Sequence, residues 1–482
     1  MLQIILILAI AAVTFYLLLR KPPGLPHGPP GWPIIGSLFN LGTESHVTLT
    51  NLASTYGNVY SIQLGLQYCV VLCGYDVIKE AFVQKGEHFA GRPSPGMITK
   101  VLKKAGYIFQ DYGPVWKEQR KFALSAFRSF GVGKKSLEAK IHMEIDHLVD
   151  YIAKENGHPL DVSHVINNAA SNIICSISFG TRYEYSDEVF HYLLHIINEQ
   201  FRIDSGTFVG NFLPFLIDLP FMYREYKQIN AEIHKFIFGK IEEHRATFDP
   251  DNMRDFIDMY LSEMERQHRM DAKIKFTDFL LYRSIRDLFV AGTETTTTTL
   301  LWGLLYMVTY PDIQKKIHAE LDDNVGHDRL PCLEDKRKLP YLEATIMEIQ
   351  RMANVAALSR HCTTRDTEFH DYVIPQGTLV YLNIWSAHFD QKHWKEPYKF
   401  QPERFIGDDG KVVKQDAFIP FGTGRRICLG EQLAKMELFL FFSALLQQFK
   451  FTIPEGGPTP SLKARVGITL TPHPFNICAI RR

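Results

Sequence analysis

The chain opens on an uninterrupted apolar run. Residues 2–19 read LQIILILAIAAVTFYLLL, and Arg20 and Lys21 follow at once. Eighteen residues at the helical rise reach about 27 Å, the thickness of a thin bilayer, so the pattern predicts one membrane-spanning helix. The positive flank places the body of the chain on the cytosolic side. A cleaved leader is the competing reading, but it would carry its charge before the apolar run and a small-residue cleavage site after it. Residues 22–36 instead read PPGLPHGPPGWPIIG, with six prolines, which predicts a stiff, extended spacer between membrane and body.

Beyond residue 36 no second low-complexity linker and no repeat of solenoid length appears, so residues 37–482 read as one body. Strand-like runs sit at 58–65 (NVYSIQLG) and 68–74 (YCVVLCG), and again at 372–382 and 449–454. Helical periodicity dominates between them, which predicts a mainly α fold with a small β portion. One helix stands out, from about Thr277 to Tyr310, with Thr277 or Asp278 as cap and Pro311 as stop. It is apolar nearly all round after Arg286, so it should be buried. Its middle is Ala291-Gly292-Thr293-Glu294 and then five threonines, 295–299. Glycine and back-bonding hydroxyls predict a local widening or kink there. A glutamate in so apolar a helix costs free energy unless it has a task or a structural hydrogen bond.

Composition narrows the classes. The 482 residues carry 53 Lys and Arg against 53 Asp and Glu, so no basic excess marks a nucleic-acid binder. Hydrophobic residues make 46 %, enough for a large core and against disorder. The seven cysteines (69, 73, 175, 332, 362, 428, 478) are too sparse for a disulfide framework and suit a reducing compartment.

Chemistry concentrates at residues 421–430, FGTGRRICLG, where Phe421, Gly424, Arg426, Cys428 and Gly430 form the pattern FxxGxRxCxG. Glycines let backbone N–H groups turn toward a sulfur, and neighbouring arginines favour the thiolate. With one cysteine and no CxxC or HxxxH partner, tetrahedral zinc and iron–sulfur sites are disfavoured. A single thiolate suits haem iron, whose in-plane bonds the porphyrin supplies.

On these residues the sequence resembles a microsomal, membrane-anchored cytochrome P450 of the drug- and lipid-oxidising, family-2-like type, over essentially the whole chain. The resemblance implies the P450 fold, mainly α with a small β portion, behind an N-terminal transmembrane helix (anchor 1–20, proline-rich linker 21–36, catalytic domain 37–482). It implies haem b as cofactor, with Cys428 as the axial metal ligand and Arg426 on a propionate. Ala291, Gly292, Glu294, Thr295 and Thr296 match the family's distal-helix AGxxTT pattern, and Glu294 with Thr295 would be the acid–alcohol pair that feeds protons to oxygen. Glu348-Ile349-Gln350-Arg351 matches ExxR and Pro402-Glu403-Arg404-Phe405 matches PERF, which implies a buried Glu348–Arg351–Arg404 network. ExxR also occurs at 242–245, 263–266 and 334–337, so position alone distinguishes 348–351. Trp116 and Arg120 (WxxxR), Arg92 (FAGRP) and His361 (RHCTT) resemble propionate contacts. By family alignment Phe109, Phe201, Phe289, Ala291, Leu358 and Ile468 line the substrate pocket. The stretch MANVAALSRH departs from close relatives: it lacks prolines and is one residue shorter before His361, with Ala356, Ala357 and Leu358 expected along the pocket.

The implied function is monooxygenation of a lipophilic substrate (xenobiotic, fatty acid or steroid) at the endoplasmic reticulum membrane. No GxGxxG after a strand and no P-loop is present, so electrons must arrive from outside. The family's donors are NADPH–cytochrome P450 reductase and, for some members, cytochrome b5. A basic stretch at Lys117, Arg120, Lys121, Arg128, Lys134 and Lys135, with Arg425 and Lys435, offers a docking face for an acidic partner. Residues 208–222, FVGNFLPFLIDLPFM, read equally as a second membrane contact or as core packing. Arg202 is weighed as an anchor for a substrate carboxylate, with a plain surface arginine as the favoured reading. Two other functions compete: a haem-thiolate isomerase needing no reductase, and a haem-binding sensor or carrier. Neither has a use for the Glu294-Thr295 pair.

Overall fold

The computed structural model describes residues 3, 21–93, 103–206, 211–213, 220–270 and 276–482. The expected membrane helix at 2–19 falls, but for Gln3, outside the described residues. Among the described residues no helix is long and apolar enough to cross a membrane.

The chain begins its body with α1 (Ser45–Tyr56), the hairpin β1 (Val59–Leu64) and β2 (Gln67–Leu72), and α2 (Tyr75–Lys79). Helices then follow almost without interruption: α3 (Gly106–Phe109), α4 (Pro114–Ser129), α5 (Lys135–Ala153), α6 (Ser163–Ser178), α7 (Glu188–Gly206), α8 (Pro220–Ala246), α9 (Phe256–Arg269), α10 (Asp278–Thr309), α11 (Pro311–Asn324) and α12 (Pro340–Ala353). Strands return as β3 (Leu358–Cys362), β4 (Thr367–Phe369), β5 (Tyr372–Ile374) and β6 (Leu379–Asn383), then α13 (Ile384–His388) and α14 (Glu431–Gln448). Short strands β7 (Phe449–Thr452), β8 (Ala464–Val466), β9 (Leu470–Pro472) and β10 (Cys478–Arg481) close the chain. The mainly α reading with a small β portion stands.

One four-stranded sheet has the order β1-β2-β6-β3, with β2 and β6 parallel and the outer pairs antiparallel. Three two-stranded pieces accompany it. The proline-rich stretch is docked rather than a free spacer. Ser61 donates its N–H to His27 O at 3.0 Å and its hydroxyl to Pro26 O at 2.6 Å, and Leu25 is buried. Prolines leave carbonyls without competing donors, and β1 supplies the donors.

The large core is helical and centres on α10 and α14, both apolar all round and therefore enclosed. Thr277 caps α10, accepting from Leu280 N–H at 3.2 Å, and Pro311 opens the next helix. The expected widening does not appear: α10 runs as α-helix through Gly292 and the threonines. The hydroxyls of Thr295 and Thr299 bond back to Ala291 O and Thr295 O, each at 2.7 Å, so their competition is absorbed within the helix. Gly292 serves packing instead, because a Cβ there would stand 2.5 Å from Ile174 Cδ1 of α6.

Candidate active site

The loop at 421–430 is closed by Cys428 N–H on Phe421 O at 3.0 Å and contains a 3-10 turn at Gly424–Arg426. Gly424 has φ +75°, and a Cβ there would lie 1.8 Å from Phe82 O in the π-helical turn Glu80–Gln84. Only glycine fits both the conformation and the contact. Of the seven cysteines, Cys428 alone is exposed, yet protein surrounds its thiol closely enough that burial pushes its pKa up. The Gly430 N–H and the Arg120 guanidinium oppose that rise, while Glu431 adds to it. The residue is thus open to solvent on one side and crowded by protein on the other, with one backbone donor and one cation favouring the ionised form of its thiol.

Beside it three arginines converge. Arg426 donates Nε to Ala90 O at 2.8 Å and Nη2 to Gln110 O at 2.7 Å, and lies 4.1 Å over the Trp116 ring. Arg120 donates to Ile427 O at 2.7 Å, next to the cysteine. Arg92 donates to Arg360 O at 2.5 Å, and its Nε is buried without a partner. Among the described residues, the side-chain hydrogen bonds of all three go to backbone carbonyls. Burial first, then Arg92 and Arg120, bring Arg426 down to about 9. Burial first, then Arg360, bring Arg92 to about 10. His361 lies on β3 opposite Val380 of β6, edge-on to Phe82 at 4.6 Å. Its Nδ1 is buried and unpartnered, and burial with Arg92 and Arg426 holds the ring neutral. The Trp116 indole donates to Tyr107 O at 3.1 Å. Trp116, Arg120, Arg92, His361 and Arg426 therefore meet across four separate stretches of chain.

On α10, Ala291 is exposed in mid-helix, which marks an open face in an otherwise enclosed element. Thr295 shares the face one turn on. Its hydroxyl proton is committed to Ala291 O, so its lone pairs remain free to accept. Glu294, the adjacent residue, points elsewhere. Its Oε1 accepts from Thr469 Oγ1 at 3.3 Å and Thr298 Oγ1 at 3.4 Å, and burial raises its pKa. A second acid lies deeper: Glu437 of α14 is fully buried, accepts from Thr296 Oγ1 at 3.0 Å, and is pushed up to about 8. Its Oε1 has no partner. The sequence reading passes over Glu437; an acid within MELFLFF was the available signal.

The ExxR at 348–351 is set apart by burial. Glu348 and Arg351 are wholly enclosed and bonded at 2.7 and 2.8 Å, and the Glu348 carboxylate also accepts from Arg404 Nε at 3.0 Å and from Gln401 N–H at 2.9 Å. Arg351 also donates to His388 O and Pro397 O, each at 2.8 Å. The decoy pairs Glu263–Arg266 and Glu242–Arg245 lie at the surface.

Pocket candidates scatter. Phe109, Phe201 and Leu358 are half-buried, whereas Phe289 is packed into the core, stacked on Phe179 at 5.1 Å. Ile468 is exposed on the β8–β9 turn. Ala357 is buried, and β3 carries the chain straight into His361. Arg202 does not await a substrate, being exposed and paired with Glu199 and Glu225. Of residues 208–222, the side chains of 211–213 are described, and Phe212 and Leu213 are buried. Leu66 N–H donates to Phe212 O at 3.1 Å, so this portion is core packing. The rest of that stretch lies outside the described side chains. In the basic stretch, Arg120 turns inward, Lys117 and Arg425 reach Glu87, Lys135 pairs Glu334 and Lys435 pairs Glu431. Lys121, Arg128 and Lys134 are exposed.

This donor set fits haem b. An accessible thiol suits the iron, and a cluster of arginines with an orphaned N–H, joined by an orphaned His361 nitrogen, suits two propionates.

Comparison with known proteins agrees. Residues 26–479 match the family model described as Cytochrome P450. The chain is 41 % identical over 499 residues to "Cytochrome P450 2U1" of Mus musculus, covering 99 % of this chain and 94 % of that protein. It is 41 % identical over 467 residues to "Cytochrome P450 2J2" of Homo sapiens (96 % and 92 % covered). It is 39 % identical over 467 residues to "Cytochrome P450 2D26" of Mus musculus (95 % and 93 % covered).

Proposed function

Because the chain belongs to the cytochrome P450 family, as a family-2-like, haem-thiolate monooxygenase acting on lipophilic substrates, we propose that Cys428 ligates the iron and that NADPH–cytochrome P450 reductase supplies the electrons. Bound through a thiolate, haem b activates molecular oxygen and inserts one of its atoms into an organic substrate. Arg92, Arg120, Arg426 and His361 would hold the propionates by ion pairs or donated hydrogen bonds, with the Trp116 ring, whose N–H is taken by Tyr107 O, packed against Arg426. Gly430 N–H and Arg120 favour the thiolate form of Cys428. Thr295, with its own proton held by Ala291 O, accepts a bond from water or substrate on the open face of α10. Glu294 keeps its proton to higher pH than an ordinary glutamate, and because its carboxyl is turned to Thr298 and Thr469 it would serve that face only through a rotation of its side chain or a bridging water. Glu348, Arg351 and Arg404 keep the segments behind the loop in register. The body rests on the cytosolic face of the endoplasmic reticulum membrane, and cytochrome b5 serves as an auxiliary donor.

The observation that carries this reading is the exposed Cys428 thiol beside three arginines that pair with no carboxylate among the described residues. The test is the reduced carbonyl spectrum of the purified protein. The wild type should show the red-shifted Soret band of a thiolate ligand, and Cys428→Ser should lose it. An unchanged band in Cys428→Ser overturns the ligand assignment.

A further inference from the structure

A cavity of about 360 Å³ lies between the end of α8, the outer half of α9 and the turn that leads into α10. Helical spacing builds it. Leu261, Met264 and His268 recur at three and four residues along α9 and so share one face, with Glu265 beside them. Leu261 and Phe276 are buried and form the floor, Phe248 and Met264 are half-buried along the wall, and Arg245, Glu265 and His268 are exposed at the rim. The inside is therefore apolar and the mouth charged, in a volume within the range of about 300–1,000 Å³ usual for small-molecule sites.

The charges at the mouth are unevenly answered. Arg245 donates to Asp278 at 2.5 Å and stands 3.5 Å from Glu242, so two carboxylates already share its guanidinium. Gln267 donates Nε2 to Glu263 at 2.8 Å, while its Oε1 is buried with no partner. Glu265 makes no ion pair and no side-chain hydrogen bond among the described residues. One cation among three carboxylates leaves the mouth negative, and the unpaired groups Glu265 and Gln267 Oε1 both lack a donor.

We propose that this cavity binds a lipophilic amine in its protonated form, with the apolar body against Phe248, Leu261, Met264 and Phe276 and the ammonium at Glu265. Covering apolar wall surface supplies the attraction, Met264 adapts to the shape of the body, and aromatic walls favour a cation over an anion. The site is additional to the one where oxidation is proposed and does not depend on it: from Thr277, next to the cavity, to Thr295 is about 27 Å of helix axis. Its floor nevertheless leans on the helix that carries Trp116 and Arg120. The Phe276 ring packs on Tyr260 at 4.8 Å and on Phe122 of α4 at 5.3 Å, and Tyr260 donates to Gln119 Oε1 at 3.0 Å, one residue from Arg120.

The test is equilibrium dialysis of labelled desipramine, and of its analogue with a hydroxyl in place of the methylamino group, against the haem-loaded, full-length protein in phosphatidylcholine nanodiscs. Saturating 4-phenylimidazole on the iron keeps the probe from the site at Cys428, and binding to discs without protein is subtracted. One saturable site per chain is expected, taking the amine about fivefold tighter than the alcohol, the upper worth of an ion pair at an exposed carboxylate. Glu265→Gln should bring the two within about twofold and leave the alcohol unchanged. Met264→Trp, which fills the cavity from its wall, should weaken both by more than about tenfold; Phe248→Trp is the second filling variant, in case Met264→Trp does not fold. Three results overturn the inference: no saturable binding, equal affinity for amine and alcohol in the wild type, and a preference that survives Glu265→Gln. Binding that both Trp variants leave intact, or that releases the azole from the iron, places the probe elsewhere and overturns it as well.

Discussion

Replacing Glu348 by Gln tests whether the buried network, rather than the ExxR pattern as such, holds the molecule together. The carboxylate accepts from Arg351 Nε and Nη2, from Arg404 Nε and from Gln401 N–H, at 2.7 to 3.0 Å, and it has no exposed surface. Glutamine keeps the size but removes the charge and turns one acceptor into a donor facing guanidinium. Arg351 would then be a buried cation left with backbone carbonyls, Met352 Sδ at 3.0 Å and the Trp394 and Phe389 rings at 5.1 and 5.4 Å, none of them charged. Breaking one side of such a pair costs about 3–5 kcal/mol. That is a large share of the roughly 5–15 kcal/mol by which a native protein is stable. Glu263→Gln is the matched control, since Glu263 bonds Arg266 in the same ExxR spacing but with a half-exposed partner. An exposed pair is worth about 0–1 kcal/mol. The assay is urea unfolding of both variants followed by far-ultraviolet circular dichroism, compared at equal haem loading. Unfolding free energies within about 1 kcal/mol of each other would refute the reasoning, because the Glu348 carboxylate is fully buried and shared by Arg351, Arg404 and Gln401 whereas the Glu263 pair lies at the surface.

Three further outcomes follow from the same geometry. Thr295→Ala removes the acceptor on the open face of α10, so NADPH consumption should increasingly yield peroxide; an unchanged ratio of product to NADPH, measured with reductase present, rejects the proton-handling role. Glu437 is raised to about 8 by burial, so the folded protein holds a proton there that the unfolded chain releases near pH 4.5. Its contribution to stability is therefore full below that lower value and lost as pH rises toward 8. Glu437→Gln should flatten the fall in stability across this window by up to about 1.4 kcal/mol per pH unit, and unfolding curves at several pH values with an unchanged slope would reject it. Exposed Lys121, Arg128 and Lys134 should make reduction by the reductase slow with rising salt, and Lys121→Glu should slow it at low salt. Stopped-flow reduction rates that ignore both changes count against docking on this face.

Local chemistry was legible along the chain. A 32-residue helix between Thr277 and Pro311 is written in apolar periodicity, a cap and a stop, all of which act within a few residues. The cysteine loop is legible for a similar reason: Gly424 must be glycine whatever else surrounds it, because its backbone turns to positive φ. What pattern could not decide was partnership across distance. Arg202 and Arg286 look alike in sequence, yet one meets two surface glutamates and the other is sealed in the core with a shared aspartate. Five ExxR matches, at 199–202, 242–245, 263–266, 334–337 and 348–351, are equal in pattern, and only packing encloses the last. The widening expected in α10 does not appear: Thr295 and Thr299 bond back to carbonyls of their own helix while Thr296 turns to Glu437 of α14, and the proline-rich spacer is held against the body because Ser61 of β1 donates to its carbonyls. Backbone conformation and periodicity are properties of neighbours in sequence, so sequence alone determined them. Burial, charge pairing and the free valence of a side chain depend on what the fold brings alongside, and only the tertiary structure decided those.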